Sequence, residues 1–95
     1  MMSESIEWQD LQLQSLDDLR NLVSAENVRQ LNLWGCQTHS PTQWLSLLVK
    51  QVGELAEAIN NHVYYNTPKM HIVREGIEVA TLALKIVEMA SKEGN

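Results

Sequence analysis

Apolar side chains recur along this chain at intervals of three and four residues, and two prolines cut the pattern into separate runs. His39-Ser40-Pro41 and Asn66-Thr67-Pro68 each place a hydroxyl residue before a proline, the order of a helix N-cap followed by proline at the first helical position. The spacing predicts one helix from Pro41 to about Tyr65 and another from Pro68 to about Lys92. They pack as an antiparallel pair across a tight loop, with Glu93-Gly94-Asn95 frayed. Upstream, Ser15-Leu16-Asp17-Asp18 resembles a capping box with Asp in the usual Glu place, opening a helix through Leu16, Leu19, Leu22 and Val23. That helix either continues through Val28 and Leu31 to about Trp34, where Gly35 stops it, or gives way to a second, shorter helix capped by Ser24. Residues 1–14 carry Ile6, Trp8, Leu11 and Leu13 without a period, and read as an arm against a partner subunit or a disordered lead-in. Residues 15–95 form a single helical domain. Only Val63-Tyr64-Tyr65 has weak strand character, so the expected fold class is all-α, an antiparallel helical bundle completed by oligomerisation.

Placing residues at about 100° per step separates the helical faces. On the first long helix Leu45, Leu48, Val49, Val52, Ala56, Ile59 and Val63 form the main apolar stripe, and Leu47, Leu55 and Ala58 widen one flank. Gln51 falls inside that flank and Glu54 at its edge, whereas Glu57 lies on the other side near Lys50 and Asn61. On the last helix Ile72, Val79, Leu82, Ala83, Ile86 and Ala90 form the main stripe, broadened by Val73, Ala80, Leu84 and Val87. Glu75 projects into the sector of Leu82 and Ile86, where a carboxylate is costly unless a cation or hydrogen-bond donors meet it. Glu78, three residues on, can converge with it on one point. Facing helices thus offer Gln51, Glu54, Glu75 and Glu78, an oxygen set suited to a hard divalent ion such as Mg²⁺, with Mn²⁺ as the alternative. Solvated or ion-paired glutamates on a plain bundle are the simpler account, with Lys50, Arg74 and Lys85 as partners.

Composition narrows the partners. Seven Lys and Arg against twelve Asp and Glu give a net charge of −5 over 95 residues, and the basic residues are scattered, which argues against nucleic acid. The single cysteine, Cys36, cannot form an intrachain disulfide. The start MMSESIEWQDLQ lacks the basic and apolar parts of a signal peptide, and no run suits a membrane span. The expected location is cytoplasmic.

The ordered motifs resemble those of the MazG-like nucleoside triphosphate pyrophosphohydrolases, all-α enzymes with a Glu-x-x-Glu, a spacer and a Glu-x-x-Asp. Here the text is Gln51-Val52-Gly53-Glu54, twenty residues (55 to 74), then Glu75-Gly76-Ile77-Glu78. VGELAEAI from Val52 to Ile59 is similar to the first motif helix. The stretch Trp34-Gly35-Cys36-Gln37-Thr38-His39-Ser40-Pro41, followed by Trp44-Leu45, resembles the small subgroup found in phages and mobile elements. The likeness covers roughly residues 15 to 92. It implies hydrolysis of a (d)NTP to the (d)NMP and pyrophosphate, a house-cleaning of the nucleotide pool, by a homodimer or homotetramer. It also implies Glu54, Glu75 and Glu78 as catalytic metal ligands, Gln51 as a further ligand position, and Mg²⁺ as cofactor. Two broad apolar helices in so short a chain point to oligomerisation independently.

Two positions depart from the family pattern. Gln51 in place of Glu removes one negative charge and weakens Mg²⁺ binding; Glu78 in place of Asp keeps the charge and adds a methylene. Gln51 implies a one-metal site, an altered metal preference or lost activity, with Glu57 one turn on as a compensating ligand. The alternative function is therefore a catalytically degraded scaffold that binds nucleotide or a protein partner without turnover. Among the remaining residues, Trp34 is suited to stack on a base or to fix the turn, and Gln37 and His39 offer donors to base or phosphate or belong to that turn. Arg74 and Lys85 could meet phosphates or pair with neighbouring glutamates, and His62 and Cys36 read as structural. Gly53 and Gly76 would let the motif helices approach closely.

Overall fold

The computed structural model describes residues 12–92, which fold into three α-helices without a strand: α1 (Leu16–Trp34), α2 (Pro41–Tyr65) and α3 (Met70–Lys92). The expected arm lies mostly outside the described residues, which begin at Gln12. α3 is the middle rod, packed against α2 on one side and α1 on the other, while α1 and α2 do not meet. Among the described residues no helix is long and apolar enough to cross a membrane.

Local chemistry sets the helix ends. Ser40 Oγ accepts from the Gln43 N–H at 3.3 Å, and Gln43 Oε1 accepts from the Ser40 N–H at 2.8 Å, a complete capping box with Pro41 behind the cap. Asn66 ends α2 in the left-handed region at φ 58°, its N–H donating to the His62 carbonyl at 3.1 Å. Val63, Tyr64 and Tyr65 are the last turn of that helix and not a strand. α1 runs unbroken past Ser24 to Trp34, where Gly35 at φ 68° returns its N–H to the Leu31 carbonyl at 2.8 Å. Ser15 precedes α1 as expected but its side chain makes no capping bond. α3 begins at Met70, two residues after the expected Pro68, although the Pro68 carbonyl already accepts the His71 N–H at 3.2 Å.

The buried set is short: Trp44, Ala58 and Leu82, with the polar His62 and Thr81. Thr81 satisfies its hydroxyl on the Ile77 carbonyl at 2.8 Å, and His62 donates from Nδ1 to the Thr67 carbonyl at 2.7 Å, tying the α2–α3 hairpin together. α2 turns the flank of its apolar sector inward and leaves part of the main stripe outside, with Leu48, Ile59 and Val63 of that stripe half-buried. Trp44, Gln51, Leu55, Ala58 and His62 point towards the packed side, whereas Leu45 and Val49 of the main apolar stripe stand 56% and 61% exposed and Val52 is exposed beside them. The physical reason is that among the described helices α2 packs against α3 alone, so a narrow row at three- and four-residue spacing is all that one contact line can cover. The glycines differ likewise. A Cβ at Gly76 would lie 3.9 Å from Leu55 Cδ1, an ordinary contact, and one at Gly53 would meet nothing within 4 Å, so neither helical glycine is required by a close approach.

Candidate metal centre and adjoining clefts

Glu54 comes from the middle of α2, and Glu75 and Glu78 from successive turns of α3 that face it. One carboxylate oxygen from each lies within 4.8 Å of the other two, and all three residues are half-buried. Such spacing crowds like charges where water screens them poorly. Glu78 responds: burial pushes its carboxyl above the usual range, helped by the charges of Glu75 and Glu26, with Arg29 pulling the other way. Gln51 Oε1 and Glu75 Oε1 are themselves buried, and among the described residues neither accepts a hydrogen bond. A buried oxygen without a donor is costly, and a cation among the carboxylates is one way to relieve the cost at Glu75. The donor set is carboxylate and amide oxygen throughout, the chemistry of a hard divalent ion. Glu57 lies outside this cluster and is exposed to solvent, so it does not complete the ligand set.

Two open clefts run along α1, and the smaller of them reaches the carboxylates at Glu78. One, of about 270 Å³, is lined by Gln51 and Glu78 from the centre, by Arg29, Gln30 and Trp34 from α1, and by Gln37, Trp44 and Lys85. The other, of about 420 Å³, shares Gln30, Trp34, Gln37, Trp44 and Lys85 and continues between α1 and α3 to Leu84 and Met89, with Cys36 at its wall. Trp34 is 57% exposed, with the Arg29 guanidinium over its ring at 5.9 Å from the centroid. Of the residues expected to bind substrate, Trp34, Gln37 and Lys85 line both clefts. His39 lines neither. It stands edge-on to Trp44 with ring centroids 4.7 Å apart, supporting the buried indole from behind. Arg74 also lies outside both, its Nε 4.0 Å from Glu75 Oε2.

α1 supplies polar groups that the motif spacing does not mark. Glu26 takes two bonds from Arg29, Nε at 2.9 Å and Nη2 at 2.7 Å, and one from Gln30 Nε2 at 2.6 Å. These donors, the Arg29 bond foremost, hold its carboxyl below the usual range against the opposing effect of burial. Arg29 Nη2 also lies 3.8 Å from Glu78 Oε2, and Lys85 Nζ donates to Gln30 Oε1 at 2.6 Å. A polar chain therefore runs from Lys85 on α3 through Gln30, Glu26 and Arg29 on α1 back to Glu78 on α3. The signal for Glu26 was in the sequence: Leu19, Val23, Glu26 and Gln30 follow one another at helical spacing along the face of α1 that packs.

Compared with known protein families, with characterised proteins and with solved structures, the chain matches none.

Proposed function

We propose that the chain is a divalent-metal-dependent nucleoside triphosphate pyrophosphohydrolase of the MazG-like kind, converting a (d)NTP to the (d)NMP and pyrophosphate in the cytoplasmic nucleotide pool. The observation that carries the reading is the convergence of Glu54, Glu75 and Glu78 within 4.8 Å, beside buried oxygens of Gln51 and Glu75 that accept no hydrogen bond. The residues present fit Mg²⁺ or Mn²⁺: three carboxylates would hold it, with the Gln51 amide oxygen as a neutral fourth donor. When bound, the ion supplies neutralisation of the phosphate charge and acidifies the attacking water. The chain's own groups do the rest. Trp34 offers an exposed ring for a base, Gln37 offers amide donors beside it, and Lys85, on the wall shared by both clefts, meets phosphate oxygens. The exposed row Leu45, Val49 and Val52 on α2 supports assembly as a homodimer or homotetramer, since so continuous an apolar face is rare on a monomer.

The test is pyrophosphate release from a panel of canonical and modified nucleoside triphosphates with Mg²⁺, with Mn²⁺ and with chelator. Metal-dependent release that Glu75→Gln abolishes, with the fold retained, is the expected result. Turnover that survives Glu75→Gln overturns the assignment. Gln51 favours a second reading, a scaffold that binds nucleotide or a partner without turnover, because it leaves the centre one charge short of four carboxylates. Absence of release by a folded wild-type chain, with activity gained in Gln51→Glu, selects that reading.

A further inference from the structure

We propose that Arg29 binds the phosphate groups of the nucleotide and that Glu26 is a positioning residue that holds its guanidinium in place, an inference that rests on the nucleotide reading above. Arg29 Cζ lies 5.9 Å from the Trp34 ring centroid, and Arg29 Nη2 lies 3.8 Å from Glu78 Oε2. It therefore stands between the exposed indole and the carboxylate centre, on the wall of the cleft that joins them. A nucleotide with its base against Trp34 and its phosphates at a cation on Glu78 must pass this guanidinium.

The guanidinium is also prepared for an anion. Nε and Nη2 are committed to Glu26, which fixes the plane of the fork, while among the described residues Nη1 makes no bond. Glu26 in turn accepts from Gln30 and its side chain is 11% exposed, so the half-exposed fork is anchored to a fixed carboxylate. Its other neighbour, Glu78, is a group that a divalent ion would take over. With Glu78 engaged by a cation, Arg29 would keep its pairing with Glu26 and still have the Nη1 donors, on a residue that lines the cleft, to give to a phosphate group. Repulsion between that cation and the guanidinium means that Arg29 competes with the metal when no nucleotide is present.

This competition separates a phosphate-binding role from a structural one. The experiment uses the full chain with two probes, Mn²⁺ alone followed by electron paramagnetic resonance, and the α,β-methylene analogues of deoxyadenosine and deoxythymidine triphosphate, which resist pyrophosphate cleavage. In Arg29→Ala, Mn²⁺ alone binds as tightly as in wild type or a few-fold tighter, and the analogues bind about ten- to a hundred-fold more weakly, the range for loss of a charged hydrogen bond. Glu26→Gln keeps Mn²⁺ binding and weakens the analogues by about three- to ten-fold, because the fork loses its anchor. Analogue binding unchanged in Arg29→Ala overturns the proposal, and so does a parallel loss of Mn²⁺ and analogue binding, which marks a structural residue. A wild-type chain that takes Mn²⁺ but neither analogue refutes the Arg29 role and leaves the metal centre standing. One that takes neither probe refutes both.

Discussion

Lys85 Nζ on α3 donates to Gln30 Oε1 on α1 at 2.6 Å, a side-chain bond that spans fifty-five positions of sequence and holds α1 to the middle helix. The pair is part-buried and charge-assisted, so it contributes more than an exposed ion pair would. Lys85→Met keeps the stem and strands the Gln30 oxygen. It is expected to cost about 1–2 kcal/mol in urea unfolding. Lys85→Met with unchanged stability would show that solvent replaces the ammonium without loss.

Glu78 makes metal-free stability depend on pH. Its folded carboxyl holds a proton to higher pH than in the unfolded chain, so its contribution is full at acid pH and is lost as pH rises through the raised value. Glu26 runs the opposite way: its contribution is present above the usual carboxylate range and is lost as pH falls through the lowered value. In chelator at neutral pH, Glu78→Gln is therefore more stable than wild type, and the difference closes on acidification. Urea midpoints of the two proteins across this range check the sign. Glu26→Gln shows the reverse, less stable than wild type at neutral pH.

Gln51→Glu adds a fourth carboxylate to a centre where a buried oxygen already lacks a donor. Metal-free protein loses stability from the added repulsion, and Mg²⁺ binds about ten-fold more tightly, a gain of about 1.4 kcal/mol. Thermal unfolding with chelator and with excess Mg²⁺ reads both effects from one sample. A variant stabilised in chelator and unchanged in Mg²⁺ would place Gln51 outside the cation's reach.

Gly53→Ala is expected to stabilise the chain by about 0.5–1 kcal/mol, because an added Cβ meets nothing within 4 Å and the backbone is helical. Denaturant unfolding at several protein concentrations measures it. If the variant is destabilised instead, and its midpoint loses dependence on concentration, Gly53 faces another subunit and the gain is cancelled by a clash.

How far these features were legible differs from residue to residue. The ends of α2 were readable because Ser40, Pro41 and Gln43 act on their immediate neighbours. The meeting of Glu54 with Glu75 and Glu78 was readable because a tight loop makes consecutive helices antiparallel, which leaves little choice of register. The inward face of α2 was readable only in part: Gln51, Leu55 and Ala58 fell on the expected apolar flank, but the exposure of Leu45, Val49 and Val52 did not follow from the pattern. Hydropathy points to the widest apolar stripe, and a helix with one neighbour covers whichever row that neighbour reaches. Nor was Arg29 readable, since it lies off the packed row that carries Glu26 and looks solvated until the helix is docked beside Glu78. Whether α1 breaks at Ser24 was equally undecided, because a serine caps only when the chain bends there, and the row from Leu19 to Gln30 needs one straight rod to reach α3.

The arrangement of α1 has a consequence for how the molecule opens. It has no buried residue of its own and, among the described helices, packs against α3 alone. Amide hydrogens along α1 should therefore exchange with deuterium before those of the α2–α3 hairpin, as one cooperative unit released about the stretch from Gly35 to His39. Because Trp34, Gln30 and Arg29 travel with that unit, its detachment dismantles one wall of both clefts while leaving Glu54, Glu75 and Glu78 assembled. Occupancy of the clefts and protection of α1 are then a single equilibrium, and a compound that bridges α1 and α3 would slow exchange across the whole first helix.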